Sequence, residues 1–329
     1  LESKKKYLSA SRMATLDKCT WLYWVKYHLH LPDKTNSGAL RGSLCHLIFE
    51  LLLKPRHKKH YKSIIKAKGM TGSAAVLRLA NKHMKSFVTN SVEGVIEQED
   101  YDLMNKMIYI GLDHNFFGHK GAKIDSPEQK FRIENESPRY NIYGFMDKPI
   151  KYKSKKTIKI VDYKSSKVKF RGEELESNVQ AMMYSLASKK IWPEFKRVII
   201  QFLFLRFPRS PVQELEFTDE QLKGFEYYLE HMNGVINNFS EESAKIKYAA
   251  DSFKTKWLCG PTKSGWECPH KNAYDFYVLL NENGDVIKSS FEDDLSPRAG
   301  EVAEKRSYDG CPRFSAGFSA GAQEDLFDF

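Results

Sequence analysis

Two acidic residues and a lysine near the middle of the chain have types and spacing suited to metal-assisted phosphate chemistry. In Ile158-Lys159-Ile160-Val161-Asp162-Tyr163-Lys164, the alternation of a strand puts Asp162 and Lys164 on one face. Upstream, Tyr143-Gly144-Phe145-Met146-Asp147 reads as a preceding strand, joined to the first by a Lys-rich connection. Antiparallel pairing of the two would bring Asp147 beside Asp162 at one end of a sheet. Two carboxylates there suit a hard cation, magnesium or manganese. Such a cation polarises a phosphate and acidifies an attacking water. A lysine two residues on can orient that water or stabilise charge on phosphate oxygens. The Tyr163 carbonyl, between them in sequence, is a further candidate ligand. A D-x-K triplet is common by chance, and its bland alternative is a surface hairpin with ordinary charges.

The elements that must position these groups follow from periodicity and punctuation. Ser9 and Ser11 suit the start of an aromatic-rich helix over about 12–28, and Pro32 to Gly38 breaks the pattern. A second helix is expected from near Gly42 through His46, Phe49 and Leu53, and 73–117 reads as further helix. Strands are expected at 128–134, 140–150, 157–163 and 197–207, with helices at about 175–190 and 219–239. This order implies an α/β core, a mixed sheet flanked by helices, carrying a helical N-terminal arm. From Trp257 the chain reads as an irregular segment holding Cys259, Cys268 and Cys311, with a hairpin around Asn283-Gly284-Asp285. The expected division is a helical region over 1–120 with Cys19 and His46, a core over 121–250, a Cys-bearing segment over 251–314 and a flexible tether and tail over 315–329.

Composition narrows the class of partner. The 329 residues carry 52 Lys and Arg against 42 Asp and Glu, a net charge of +10, which favours a polyanion. The richest basic stretch, Lys54 to Lys68, also holds His57, His60 and Tyr61; it would line a DNA channel or be a solvated helix face. No apolar run reaches the roughly 18 residues of a membrane span, and the N-terminus lacks the apolar stretch of a secretory signal. A soluble, cytoplasmic protein of a bacterial or phage-infected cell is expected. Five cysteines in a chain this long do not make a disulfide scaffold. A Walker-type phosphate loop is absent, so any unwinding would come from a helicase partner.

Four segments in order resemble the PD-(D/E)XK nucleases, in the branch containing the RecB and AddB nuclease domains and the CRISPR-adaptation nucleases. They are Leu8-Ser9-Ala10-Ser11 leading to Cys19-Thr20-Trp21-Leu22-Tyr23-Trp24; Gly42-Ser43-Leu44-Cys45-His46; Gly144-Phe145-Met146-Asp147 with Val161-Asp162-Tyr163-Lys164; and Gln180 with Tyr184. The resemblance spans residues 7 to about 207 and implies a restriction-endonuclease-like core. It makes Asp147, Asp162 and His46 metal ligands and Lys164 the catalytic lysine. Gln180 and Tyr184, four apart on one helix face, would support the site or touch DNA. Glu128 matches an acidic position of the branch. The alternative for His46 is a packed core histidine, and for Gln180 and Tyr184 a structural role.

Relatives in this branch hold an iron–sulfur cluster with one cysteine before the core and three after it, which would make Cys19, Cys259, Cys268 and Cys311 its ligands. The resemblance is imperfect, because gaps of 9 and 43 residues separate the last three where the family's are close together. Zinc, with His270 joining Cys259 and Cys268, and no metal at all are the competing readings. Such a [4Fe-4S] cluster would tie the N-terminal helices to the C-terminal segment. At the end of the chain, Gln323-Glu324-Asp325-Leu326-Phe327 resembles a sliding-clamp-binding peptide through Gln323, Leu326 and Phe327. The expected function is a magnesium- or manganese-dependent DNA nuclease for recombination, repair or phage DNA processing, with an exonuclease on single-stranded or frayed ends preferred. A structure-specific endonuclease and a non-catalytic DNA-binding protein on the same fold are the alternatives.

Overall fold

A computed structural model of the chain describes residues 5–89, 95–262 and 266–315; the candidate clamp-binding residues Gln323, Leu326 and Phe327 lie outside them. Six helices open it: α1 (Ala10–Lys18), α2 (Thr20–Tyr27), α3 (Ser37–Leu53), α4 (Tyr61–Ala67), α5 (Ala74–Thr89) and α6 (Gln98–Asp113). There follow β1 (Lys123–Ile124), β2 (Gln129–Glu136), β3 (Arg139–Met146), β4 (Lys148–Tyr152), β5 (Thr157–Lys164), α7 (Glu173–Glu176), α8 (Val179–Ile191), β6 (Arg197–Phe204), β7 (Val212–Leu215), α9 (Asp219–Asn237) and α10 (Glu241–Ala244). The last strands are β8 (Tyr274–Leu280), β9 (Val286–Ser290) and β10 (Val302–Tyr308). None of the described helices is long and apolar enough to cross a membrane. Contacts group the chain into two compact units, residues 1–10 with 35–237 and residues 11–34 with 238–329, so the grouping does not follow linear order.

The first unit is built on a mixed sheet of order β1-β4-β5-β6-β7, in which only the β5–β6 pair is parallel. The stretch 140–150, expected as one strand, is broken. Its first part, β3, pairs with β2, and its second, β4, pairs antiparallel with β5. Asp147 sits at the break. The described helix over the 73–117 region is likewise two helices, α5 and α6.

Helix α3 starts earlier than expected because the Asn36 side chain accepts the Ala39 N–H at 3.0 Å, satisfying a donor that the first turn leaves free. Its Leu40, Leu44, Cys45, Ile48, Phe49 and Leu52 are all buried, and α5 and α6 both pack on it. This core continues into the sheet through Ile150, Val161 and Tyr163. Fully burying a ring such as Phe49 is worth about 1.5–3 kcal/mol.

In the second unit, Cys19 ends the expected single helix by capping α2, its sulfur accepting the Leu22 N–H at 3.4 Å. The expected hairpin is present as β8 and β9, and β10 adds a third strand in the order β10-β8-β9. Trp21 Nε1 donates to the Tyr308 hydroxyl at 2.8 Å, which donates to the His270 carbonyl at 3.0 Å. Thus α2 is bound to the last strand of the chain's C-terminal sheet.

Gly111 of α6 lies against Phe49 of α3: a Cβ there would stand 2.2 Å from the Phe49 ring. Gly111→Ala is therefore expected to overpack the α3–α6 contact and cost about 1–3 kcal/mol, read as a lower midpoint in urea unfolding. An unchanged midpoint would mean that the helices separate freely and that α3 is not fixed by this contact.

Candidate active site

The site is created by the β4–β5 register. Lys148 pairs with Val161, and one step further along the same antiparallel ladder Asp147 comes level with Asp162. The Tyr163 N–H donates to Asp147 Oδ2 at 2.8 Å, which fixes the carboxylate against the neighbouring strand. Asp147 is 8% exposed and Asp162 2% exposed. Buried carboxylates require compensating partners, and three elements supply them.

Helix α3 supplies His46. Its Nδ1 lies 3.4 Å from Asp147 Oδ1 and 3.5 Å from Glu128 Oε1, and its Nε2 lies 3.1 Å from the Tyr163 carbonyl. Gly42, one turn earlier, faces Ser165 just beyond β5; a Cβ there would stand 3.1 Å from the Ser165 hydroxyl. The small residue lets α3 approach the end of the strand closely enough for His46 to reach it. Glu128 sits just before β2 with φ of 52°, a left-handed conformation uncommon for residues other than glycine. Its N–H donates to the Asp147 carbonyl at 3.0 Å, which holds that conformation.

Helix α8 supplies the other side. The Asn178 side chain caps it through the Ala181 N–H at 3.0 Å, and one turn of spacing puts Gln180 and Tyr184 on the same face. Gln180 Nε2 donates to Asp162 Oδ1 at 2.9 Å and to the Tyr184 hydroxyl at 2.8 Å. Gln180 Oε1 accepts from Lys164 Nζ at 2.6 Å. The Tyr184 hydroxyl lies 2.7 Å from the Phe145 carbonyl and 3.2 Å from Asp162 Oδ1, and the shorter contact takes its one proton. Lys164 Nζ also lies 2.7 Å from Asp162 Oδ2. That contact is ionic and poorly aligned, leaving Oδ2 buried without a hydrogen-bond partner.

The electrostatics are those of an acidic pocket. Burial works against a charge on His46, but Asp147, Glu128 and Asp162 prevail and push it up to about 11. Burial and the Asp162 charge raise Asp147, against the opposing pull of His46 and the Tyr163 N–H. The donor atoms of His46, Glu128 and Asp147 lie within 4.8 Å of one another. Two carboxylates and an imidazole so placed, next to the buried Asp162, suit a hard divalent cation.

Every core residue singled out in the sequence is therefore in this one neighbourhood: His46, Glu128, Asp147, Asp162, Tyr163, Lys164, Gln180 and Tyr184. The sequence reading missed Lys148, which is 1% exposed on the opposite face of β4. Burial lowers it to about 7 against the pull of Asp147. Its Nζ donates to the Phe116 carbonyl at 3.1 Å and lies over the Phe116 and Tyr163 rings. The only signal was a lysine in an otherwise apolar strand position. In the second unit, Cys19, Cys259, Cys268, Cys311 and His270 line one cavity with Trp21 and Tyr248.

If the acidic pocket holds a cation, His46→Ala and Glu128→Gln should each weaken manganese binding by at least about tenfold, measured by isothermal titration calorimetry. Wild-type affinity in both variants would remove them as ligands.

The family model described as the PD-(D/E)XK nuclease superfamily matches residues 7–272. Among solved structures, the chain is similar to a crystal structure from Eubacterium rectale named "Putative exonuclease", with 13% identity, a TM-score of 0.48 and coverage of 80% of this chain and 91% of that one. Another, named SSO0001, has 12% identity, a TM-score of 0.24 and coverage of 68% and 86%. Comparison with curated proteins gives no match. A buried carboxylate pair beside a lysine at the end of a mixed sheet, together with a family match over most of the length, means that the chain belongs to the PD-(D/E)XK nuclease superfamily.

Proposed function

We propose that this nuclease is a magnesium- or manganese-dependent deoxyribonuclease acting on single-stranded or frayed ends, in recombination, repair or phage DNA processing. The observation that supports the metal dependence is the His46–Glu128–Asp147 donor set beside the buried Asp162, whose Oδ2 is ion-paired with Lys164. Asp147, Asp162, Glu128, His46 and the Tyr163 carbonyl would hold the cation. A bound divalent cation supplies polarisation of the scissile phosphate and acidification of water. Lys164 would orient the attacking water or stabilise charge growing on the phosphate oxygens. Gln180 would position both Asp162 and Lys164, since it bonds each of them, and Tyr184 would position Gln180. The preference for DNA ends comes from the sequence resemblance.

Hydrolysis of end-labelled single strands should require magnesium or manganese, and Asp162→Ala or Lys164→Ala should abolish it while DNA binding persists. Undiminished cleavage by purified Asp162→Ala protein would end the assignment. Circular single strands separate the two modes, because an enzyme confined to ends leaves them intact and an endonuclease opens them.

We also propose that Cys19, Cys259, Cys268 and Cys311 hold a [4Fe-4S] cluster. All four are free thiols lining one cavity of the second unit. Burial and the neighbouring cysteines push Cys268 up to about 11 and Cys311 up to about 12, a cost that a cation among thiolates removes. Tetrahedral zinc, with Zn–S near 2.3 Å, puts its sulfurs about 3.8 Å apart. The preference for the cluster over zinc comes from the sequence resemblance. Cys268 and Cys311 are 43 positions apart with the sheet β8–β10 between them, so a long gap in sequence closes in space. Protein purified without oxygen should be brown and should lose its visible absorbance in Cys19→Ser. Colourless protein containing stoichiometric zinc would replace the cluster by zinc.

A further inference from the structure

The chain's positive charge is not spread over it. From Leu51 to Val92 the sequence contains no Asp or Glu, and it holds ten Lys and Arg. The other 42 basic residues are matched by the chain's 42 acidic ones. The whole formal excess of +10 therefore belongs to one segment of the first unit, built on α4 and α5.

All ten of these side chains are exposed, and the helices arrange them by a simple rule. On α5, Val76, Ala80 and Met84 are buried at four-residue spacing. Arg78, Lys82 and Lys85 point the other way, because two residues advance a helix by about 200°. On α4, Ile64 is buried while Lys62 and Lys66, one turn apart, face solvent. Among the described residues, Lys54 pairs with Glu50, whereas Lys62, Lys66, Arg78 and Lys82 have no carboxylate within ion-pair distance. Partial desolvation and the charges of Arg56, His60, Lys54 and Lys59 together hold His57 below its ordinary range, so the local field is positive.

Part of this basic surface is fixed to the helix that carries His46. α5 packs on α3, and Lys54, the residue that ends α3, lies eight residues beyond His46, about 12 Å along the helix axis. A membrane surface is a poor match. The segment's apolar side chains face the core, and none of the chain's exposed large hydrophobic residues lies within 51–89, whereas helices that enter a bilayer interface need an exposed apolar face.

We propose that the α4–α5 surface binds the phosphodiester backbone of a nucleic acid, independently of sequence, and holds the strand outside the hydrolytic site. The identity of the polyanion rests on the nuclease reading; the surface itself rests on the charge distribution. Its function is to retain a long substrate while the site acts on one bond of it.

The test is binding of a long fluorescein-labelled single strand to the full chain in EDTA, so that hydrolysis plays no part, over a series of salt concentrations. The quadruple variant Lys62→Gln, Lys66→Gln, Arg78→Gln, Lys82→Gln should lower the slope of log K against log salt by about 3, at about 0.7 per lost phosphate contact. The variant Lys62→Arg, Lys66→Arg should keep the wild-type slope. In magnesium, KM of the quadruple variant for long strands should rise on the order of tenfold or more, with kcat on short oligonucleotides unchanged. A wild-type slope and affinity in the quadruple variant would overturn the proposal, as would loss of binding to phosphatidylserine vesicles with nucleic-acid binding intact. If the wild-type chain hydrolyses nothing but the slope still falls, the surface stands and the nuclease reading fails.

Discussion

Two carboxylates that repel each other are held side by side in a nearly dry environment, and much of the first unit is arranged around that pair. Asp147 and Asp162 are brought level by backbone hydrogen bonding between β4 and β5, not by any attraction between the side chains. Burial makes each charge expensive, and three neighbouring elements contribute compensating groups. β5 gives the Tyr163 N–H and Lys164, α3 gives His46, and α8 gives Gln180. One Asp162 oxygen, Oδ2, is ion-paired with Lys164 but has no hydrogen-bond donor. Beside it the donor atoms of His46, Glu128 and Asp147 are grouped closely enough that they could hold a cation.

The same constraint explains features that a purely structural account leaves idle. The break between β3 and β4 frees Asp147 from a continuous strand and lets Glu128, in its left-handed conformation, bond to the Asp147 backbone. The close approach at Gly42 seats α3 against the end of β5. Gln180 bonds to both Asp162 and Lys164, which links the acid to the lysine.

Charge is sorted within the first unit. Two buried carboxylates, Asp147 and Asp162, sit at the end of β4 and β5, and unbalanced basic groups are spread over the exposed faces of α4 and α5. Helix α3 belongs to both regions, with His46 in one and its C-terminal end, at Lys54, in the other. A polyanion attracted by the second is thereby brought to the scaffold of the first, an arrangement in which long-range attraction and local chemistry use different residues. The second unit joins chain segments far apart in sequence, and its four thiols meet in one cavity.

The sequence by itself determined the α/β class and the order of most major elements, and it singled out the candidate residues in two ways: His46 and Glu128 by resemblance, and two pairs because same-face spacing is local. Asp162 with Lys164 follows from the two-residue period of a strand, and Gln180 with Tyr184 from the turn of a helix. The basic stretch from Lys54 to Lys68 was visible too, although which faces carried its charges was not. Only the tertiary structure decided what depends on contacts between distant residues. The split of 140–150 into two strands with different partners, the entry of His46 from α3 and the convergence of Cys19 with Cys259, Cys268 and Cys311 leave no periodic trace in the chain. Lys148 was hidden for the same reason. Its burial is set by the Phe116 and Tyr163 rings packed over it, and a one-dimensional pattern cannot say which face of a strand a ring from another element will cover.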